Sequence, residues 1–378
     1  MSAHPSLTLL AERAASIPAA LELAGAAPLP FDAPSLATWR ASARFVITGG
    51  GLSEGPARVL ASLLSSAGRD ARFMPQSAFC DRARDAGPDC ALVLFSQGLA
   101  PNARLPLPWL GEGIVGSEGR AACARGLLVT SVVPGLASAT TVDGIARRLL
   151  QHGHLVWTLP PEREDRLLLR IVGPAVAIVA AIRLAAAIAP ECYPAVDGAR
   201  YAELARDGLA VPGADLFGDD RRAIAIVATP ALMELAMPLR WKLLEGLRIS
   251  DPPVWDPLQV AHGPLQSFYD ERITLVALRT SDDDEELFAR LRAVLRDGGS
   301  ASPSAPHRYL ELAATAPHPH ALVELDAQLD AHLLATLARH PLALDDWPSR
   351  GKDGPIYDFS PGSAPFVKEP RKPNGASS

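Results

Sequence analysis

Three side chains that can exchange protons occur close together in the sequence: Lys242, Glu245 and His262. Leucines recur at helical spacing over residues 231–247, so Lys242 and Glu245, three residues apart, are expected on neighbouring parts of one helix face. The prolines at 252 and 253 end this helix, because proline lacks the donor that would continue it, and His262 follows in the next loop. Burial and mutual proximity can tune a carboxylate, an imidazole and an amine toward neutrality, which suits them to proton transfer. A solvated helix face followed by a loop histidine is the alternative.

This helix and loop resemble the catalytic part of the double sugar-isomerase (SIS) proteins. In the isomerase half of glucosamine-6-phosphate synthase, the helix reads roughly E-G-x-x-x-K-x-K-E and the next loop ends in H-G-P. Lys242 and Glu245 match the helix, and His262-Gly263-Pro264 matches the loop. The interval from glutamate to histidine is slightly longer here, and the glutamate that opens the family's helix motif is replaced near Pro238.

The first half of the chain supplies two loops that fit the same resemblance. An apolar run over residues 43–48 leads into three glycines and then a helix, which is how an α/β unit opens. In the family this turn is the first sugar-binding loop, and a segment reading L-S-Q-S-G-E-T is the second. The resemblance therefore implies that the substrate is bound by Gly49, Gly50, Gly51, Ser53, Ser96, Gln97 and Gly98.

Both loops depart from the family where phosphate would bind. Family members hold phosphate with hydroxyls and with amides at a helix N-terminus. This chain has Gly51, Gly98 and Pro101 where the family has serine or threonine. Each lost hydroxyl removes a hydrogen bond to a charged group, worth about 1.5–3 kcal/mol. Either bare amides and an arginine such as Arg104 replace the hydroxyls, or the substrate is not a standard 6-phosphosugar.

The tail and one internal segment complete the resemblance. Residues 345–352 resemble the family's D-x-P-R-x-L-x-K, whose lysine reaches the anomeric carbon of the sugar, and Lys352 is the matching residue. A lysine that is immobilised and desolvated over a cleft can form a Schiff base with an open-chain carbonyl, although a solvated tail lysine is the ordinary alternative. Glu162 corresponds in position to the family's T-E-x-x-V-A-S-T-K segment and is expected at the sugar pocket.

The glycine turn has a second interpretation. Gly49, Gly51 and Gly55 resemble the nucleotide-binding turn of short-chain dehydrogenases, where glycines let the backbone approach a pyrophosphate. Those enzymes also use a tyrosine with a lysine four residues later, and none of the five tyrosines has one. Glu54 would moreover bring negative charge to the phosphate. The dehydrogenase interpretation is therefore the weaker one.

Charge and cysteine content narrow the class of protein. The 378 residues carry a net charge of -6 with acidic and basic side chains interspersed, so neither a nucleic acid nor a membrane surface is an expected partner. The four cysteines form no C-x-x-C pair, which fits a reducing cytoplasm and argues against a zinc or redox site. We expect a cytoplasmic protein that uses no metal or other cofactor.

Short apolar runs alternate with helical segments along the chain, and this pattern predicts an α/β fold with parallel, doubly wound sheets. The order of elements repeats after the apolar stretch 171–188, which indicates an internal duplication. We predict an N-terminal helix plus a first SIS domain over residues 1–190, a second SIS domain over 200–345, and a tail over 346–378 that closes over the site, its end disordered.

The resemblance implies an aldose–ketose isomerase, or a sugar-aminating or deglycating enzyme, that acts on a sugar-like carbonyl or amino compound. His262 would open the ring, Lys352 would form an imine, Glu245 would move a proton between adjacent carbons and Lys242 would assist. The family donates the H-G-P histidine across a subunit interface, which implies a homodimer. Two alternatives are a non-catalytic sugar-binding regulatory protein and an SIS enzyme repurposed for biosynthesis on an unphosphorylated substrate.

Overall fold

The structure is a computed structural model of the chain. It describes residues 5–80, 89–111, 123–132, 142–160, 166–218, 223–267, 273–283, 285–296, 308–347 and 352–359, together with residues 87, 114, 134 and 164.

The first sheet is built from the first half of the chain. Its strands within the described residues are β1 (Arg44–Gly49), β2 (Ala71–Phe73), β3 (Cys90–Phe95), β4 (Arg125–Thr130) and β5 (Leu155–Thr158). All pairings are parallel, and the spatial order is β2-β1-β3-β4-β5. The order reverses between β1 and β3, so the loops that follow these two strands diverge and leave a crevice at their carboxyl ends.

The second sheet repeats this plan with the second half of the chain. Its strands within the described residues are β6 (Ala223–Ala228), β7 (Val254–Trp255), β8 (Ile273–Arg279) and β9 (Arg308–Ala313). The order is β7-β6-β8-β9, again with parallel pairings throughout. The predicted α/β class with two parallel, doubly wound sheets is confirmed.

Helices cover these sheets. They are α1 (Pro5–Ala26), α2 (Ala33–Arg40), α3 (Glu54–Ser66), α4 (Val142–Gln151), α5 (Val172–Ile188), α6 (Gly198–Leu209), α7 (Met233–Leu247), α8 (Pro264–Ser267), α9 (Glu285–Arg296), α10 (Ala321–Arg339) and α11 (Gly354–Tyr357). The apolar stretch 171–188 contains α5, which is buried around most of its circumference. No described helix combines the length and the apolar character that crossing a bilayer requires.

Side chains alternate between the two faces of each strand and so enter different hydrophobic clusters. Phe45 and Ile47 of β1 join one hydrophobic cluster with Ile226 of β6 and with residues of α1, α3, α5, α7 and α10, whereas Val46 faces a second cluster. Val227 of β6 likewise faces away, into a third cluster on the outer side of the second sheet. Because successive side chains of a strand point to opposite faces, the inner faces of both sheets share one continuous core with the helices between them.

Helices α3 and α7 cross at close range inside this shared core. A Cβ added to Gly55 of α3 would lie 2.4 Å from the Pro238 Cβ of α7, so glycine is required for the two backbones to approach. Pro238 also lacks the amide that would bond to the carbonyl four residues earlier, yet the helix continues through it. Pro238, where the sequence departs from the family's helix motif, therefore lies at the contact between the two halves of the chain.

The segment before the tail touches both halves. Leu344 is buried in the shared core, and its carbonyl accepts from the Leu168 amide at 3.3 Å. Arg248, at the end of α7, donates to the carbonyls of Ala343 and Asp346 and lies over the ring of Trp347. Residues 343–347 thus join the strand–helix connection before α5 to the end of α7.

Candidate active site

A cleft opens at the carboxyl ends of β1, β3, β4 and β5. Its cavity volume is about 30 Å³, and about 350 Å³ of space free of protein atoms lies in and in front of it, open solvent included. Its polar lining is formed by Ser53, Ser96, Gln97, Thr130 and Ser131. Leu52, Phe95 and Leu159 are among its apolar lining residues. This is the crevice that the strand order creates, and ligands of doubly wound sheets bind at such a place.

The glycine turn forms one rim of the cleft. Gly51 has φ +56°, in the left-handed region that favours glycine, and a Cβ on Gly49 would lie 2.2 Å from the carbonyl oxygen of Ser53. Gly50 lies beside the side chain of Gln76. The turn brings Ser53 to the cleft at the start of α3, where its hydroxyl makes no capping hydrogen bond.

The second predicted loop forms the facing rim. The Ser96 hydroxyl accepts from the Leu99 amide at 3.1 Å, and Leu99 adopts a left-handed backbone with φ +48°. Gly98 is exposed, with open space around its Cα. A short 3₁₀ turn, Pro101–Arg104, follows, so the loop does not lead into a helix whose N-terminal amides could hold a phosphate.

Gln97 connects this rim to the strand–helix connection before α5. Its backbone carbonyl accepts from the Ser131 amide at 3.1 Å and from the Thr130 hydroxyl at 3.0 Å. Its side-chain Oε1 accepts from Nη1 of Arg170 at 2.8 Å. Arg170 was not among the predicted site residues.

Glu245 lies on α7, half-buried, beside charged groups of the same connection. In the described part of the chain no hydrogen-bond donor reaches its buried Oε2. Burial raises the pKa of this carboxyl to about 8; Arg170 opposes the increase and the like charge of Glu164 adds to it. A carboxyl that titrates near neutrality can both accept and return a proton.

Glu164 is also buried and holds the start of α5. Its Oε1 accepts from the amides of Ile171 and Val172 at 2.7 and 3.0 Å, and its Oε2 accepts from the Gly173 amide at 2.7 Å. The amides with which this helix N-terminus could bind an anion are therefore already hydrogen-bonded to the Glu164 carboxylate. The predicted pocket residue Glu162, two positions earlier, lies outside the described residues.

Lys242 differs from its sequence-based expectation. Its side chain is fully buried, and Nζ lies 2.8 Å from Asp326 Oδ1 and 2.9 Å from Asp330 Oδ1, both on α10. Burial alone would lower the pKa of the amine, but the two carboxylates raise it above its usual range. The carboxylates beside Lys242 thus belong to another helix, and the fully buried amine is not exposed to the solvent-filled cleft. An assisting role in catalysis does not fit this placement.

His262 and Lys352 are exposed. His262 follows the 3₁₀ turn Gln259–Ala261 beyond β7, and Gly263 after it has φ +123°. Lys352 precedes α11, which packs against the turn Pro101–Arg104 next to the cleft. Within the described residues, neither side chain makes a hydrogen bond or ion pair, so the single chain does not bring them into contact with Glu245.

The charged groups around Glu245 and Lys242 that the sequence did not reveal are Glu164, Arg170, Asp326 and Asp330. Asp326 and Asp330 did carry a signal, because two acids four residues apart share one face of a leucine- and alanine-rich helix. Glu164 and Arg170 carried none, since their partners are set by the loop path and by tertiary contacts.

The fold matches solved structures of sugar-phosphate enzymes at low sequence identity. A tagatose-6-phosphate ketose/aldose isomerase from Escherichia coli has a TM-score of 0.63 and 17% identity over 91% of this chain and 96% of that one. The C-terminal domain of glucosamine-fructose-6-phosphate aminotransferase from Francisella tularensis has a TM-score of 0.60 and 14% identity over 89% and 96% of the two chains.

A glucosamine-6-phosphate deaminase from Thermotoga maritima has a TM-score of 0.58 and 13% identity over 91% of this chain and 97% of that one. No protein-family model and no curated protein sequence matches the chain. The chain thus has the fold of the SIS phosphosugar isomerases along nearly its whole length.

Proposed function

We propose that the chain is a sugar isomerase, or a sugar-aminating or deglycating enzyme, in which Glu245 transfers a proton between adjacent carbons of a sugar-like substrate. The observation that carries this proposal is the half-buried Glu245 carboxyl, whose pKa is raised to about 8 mainly by burial. Arg170 acts on this carboxyl and bonds to Gln97 in the cleft wall. The fold shared with sugar-phosphate isomerases and a deaminase supports the same chemistry.

The remaining roles follow the sequence resemblance. His262 opens the sugar ring, and the Lys352 amine condenses with the open-chain carbonyl and releases water. The imine is then returned to the carbonyl by water or passed to a second amine. Glu245 takes the proton from the neighbouring hydroxyl-bearing carbon and delivers it to the carbonyl or imine carbon. That hydroxyl passes its own proton to the former carbonyl oxygen or imine nitrogen and becomes the new carbonyl.

We propose a substrate that is not a standard 6-phosphosugar. Three features of the cleft support this proposal. The Leu99 amide is already bonded to Ser96, Pro101 has no amide hydrogen, and the amides at the start of α5 are bonded to Glu164. The hydroxyls of Ser53, Ser96 and Thr130 remain as cleft-lining groups that suit an uncharged, oxygen-rich substrate.

Deuterium exchange tests the proposed reaction. Purified protein is incubated in D₂O with ketoses, aldoses and amino sugars, each with and without a 6-phosphate, and followed by proton NMR. We expect deuterium beside the carbonyl or amine of an unphosphorylated compound, and a loss of about 10²–10⁴-fold in Glu245→Gln, because the amide cannot take the proton. Glu234→Gln, on the same helix but half-exposed beside Arg58, is the matched control and keeps the rate.

Absence of exchange with every compound would overturn the enzymatic proposal. The exposed, separate positions of His262 and Lys352 favour one alternative, a non-catalytic sugar-binding protein. In that case calorimetry would detect sugar binding that Glu245→Gln and Lys352→Ala leave unchanged, with no turnover in any variant.

A further inference from the structure

A second cavity lies between residues 58–66 of α3 and the strand β2, with Glu234 of α7 at its end; we call it the α3–β2 groove. Its volume is about 270 Å³, and it shares no lining residue with the cleft. Small-molecule sites usually occupy about 300–1,000 Å³, and a water molecule takes about 30 Å³ of liquid. The groove therefore has room for several waters or for one ligand of monosaccharide size.

The groove exists because one face of α3 carries small side chains. Ser62, Ser65 and Ser66 line it at helical spacing, beginning one turn after Arg58. Ser62 is half-buried and the other two are exposed. Within the described residues β2 is the outermost strand of the first sheet, so no further strand fills the space. In the same part of the chain, none of the three hydroxyls has a hydrogen-bond partner.

Arg58 supplies a charged group that is already held in place. Its Nε donates to Glu54 Oε1 at 2.7 Å, and its Nη1 donates to Glu234 Oε2 at 3.4 Å. The guanidinium carbon lies 4.2 Å from the centre of the Phe73 ring. Among the described residues, Nη2 of Arg58 and Oε1 of Glu234 have no hydrogen-bond partner. A ligand would meet a donor and an acceptor whose side chains are ordered before it arrives, which lowers the entropic cost of binding.

The charges around the groove favour a neutral ligand. Glu54 and Glu234 compensate Arg58, and Arg72, which also lines the groove, has interactions of its own. An anion would have to compete with carboxylates already in place, and a cation would lie beside two guanidinium groups. A hydroxyl both donates and accepts, a guanidinium donates and a carboxylate accepts. The matching ligand therefore carries several hydroxyls and no net charge.

We propose that the α3–β2 groove is a second ligand site, which binds a neutral sugar or sugar alcohol. The three serine hydroxyls, the Arg58 guanidinium and the Glu234 carboxylate hydrogen-bond to the ligand's hydroxyls. The site does not require Glu245 to be catalytic.

Glu54 connects this site to both parts of the proposed active site. It directly follows Ser53, which lines the cleft, and its Oε2 accepts from Nε1 of Trp241 at 3.3 Å. Trp241 lies on α7, the helix that carries Glu245. A ligand that orders Arg58 therefore also stabilises the contact between α3 and α7.

NMR of the full chain labelled at its alanine methyl groups tests the site directly. Ala61 and Ala71 line the groove, whereas Ala177 lines the cleft, so the two places report separately. Replacement of each alanine by serine identifies its resonance. Glucose, N-acetylglucosamine and sorbitol are the neutral probes, and glucose 6-phosphate and glucuronate are the charged ones. We expect the neutral probes to shift Ala61 and Ala71 saturably, and with a lower Kd than the charged probes.

Two variants remove the site in different ways. Combined replacement of Ser62, Ser65 and Ser66 by alanine is expected to raise the Kd about 10–100-fold, because the ligand loses three hydrogen bonds. Ser77→Ala, at an exposed serine after β2 that does not line the groove, is the matched control and keeps the Kd. Ser65→Trp fills the groove from an exposed position and abolishes the shifts, so it keeps the test open should the triple variant fail to fold.

The proposal would be overturned if no neutral probe shifted Ala61 and Ala71, or if only Ala177 responded. An unchanged Kd in the folded triple variant, or tighter binding of the charged probes, would overturn it as well. Saturable shifts at Ala61 and Ala71 in a protein that exchanges no deuterium would support the second site while the proposed reaction fails.

Discussion

Glu245 differs from an ordinary surface glutamate in what surrounds its carboxyl. The apolar packing around α7 withdraws water from it, and within the described residues the charge of Arg170 partly offsets the resulting rise in the pKa. A proton-transfer group needs a pKa near the operating pH, and burial of one carboxyl between two charged side chains is a direct way to reach it. Glu245 therefore has the acid–base character that the proposed proton transfer requires.

The same environment makes the stability of the fold depend on pH. The pKa of Glu245 is raised from its usual 4.5 to about 8, so between these values the folded chain retains a proton that the unfolded chain has released. The free energy of unfolding must then fall as pH rises through this range. Glu245→Gln removes this pH-dependent decrease, because glutamine does not ionise. We expect this variant to match the unsubstituted chain near pH 5 and to exceed its unfolding free energy by roughly 1–3 kcal/mol at pH 9.

Urea unfolding at a series of pH values measures the effect, with Glu234→Gln, at a half-exposed glutamate of the same helix, as the matched control. Equal stability of Glu245→Gln and the unsubstituted chain at pH 9 would mean that water reaches the Glu245 carboxyl.

At the scale of elements, α7 is joined to α10 by the buried contact of Lys242 with Asp326 and Asp330. The Lys242–Asp330 contact has hydrogen-bond geometry to both carboxylate oxygens, whereas the 2.8 Å contact with Asp326 does not. Burial and the neighbouring Asp326 raise the pKa of Asp330. The amine is thus required to compensate two carboxyl groups that have no access to water.

Lys242→Met removes this compensation. We expect a loss of about 3–5 kcal/mol in the free energy of unfolding, because two buried acidic groups lose their cation. Urea denaturation provides the measurement, and the triple variant Lys242→Met, Asp326→Leu, Asp330→Leu is expected to recover most of the loss. A Lys242→Met protein as stable as the unsubstituted chain would show that the acids are neutral without the lysine.

The sequence predicted most of the sheet elements because their signal is local. The apolar run over residues 43–48, for example, overlaps β1. Helices α2, α4 and α6 were not predicted individually. The polar site was less accessible to prediction: Lys242 and Asp330 are 88 residues apart, and the path that brings Arg170 to Gln97 depends on where the connection before α5 turns. Spacing along one helix could not show that Lys242 contacts α10.

At the scale of the whole molecule, the shared core concerns the division of the chain into domains. The predicted domain boundaries, at residues 190–200 and 345–346, remain a proposal. Side chains of β1 and β6 belong to one continuous hydrophobic cluster. The close approach of Gly55 and Pro238 fixes the two halves against each other inside it.

A site shared between subunits is also a whole-molecule proposal. We propose a homodimer in which His262 of one protomer completes the site that contains Glu245 of the other; the exposed position of His262 supports this proposal. Glu245→Gln and His262→Ala proteins, each inactive alone, are then expected to recover roughly a quarter of full exchange activity when unfolded, mixed and refolded, because half of the dimers are hybrids with one intact site.

Proton NMR exchange assays on the mixture measure this recovery. Two copies of Glu245→Gln refolded together are the control and stay inactive. A mixture with no activity, in protein that sedimentation shows to be dimeric, would place His262 and Glu245 of one site in the same protomer.

The contacts of residues 343–347 set a practical limit for anyone who shortens this chain. Leu344 fills the core, and the carbonyls on either side of it are bonded to Arg248 at the end of the helix that carries Glu245. A recombinant protein cut before Leu344 would lose anchors on both sides of the cleft at once. Trimming from the C-terminus should therefore stop after Trp347, and loss of activity in a shorter version would say nothing about Lys352.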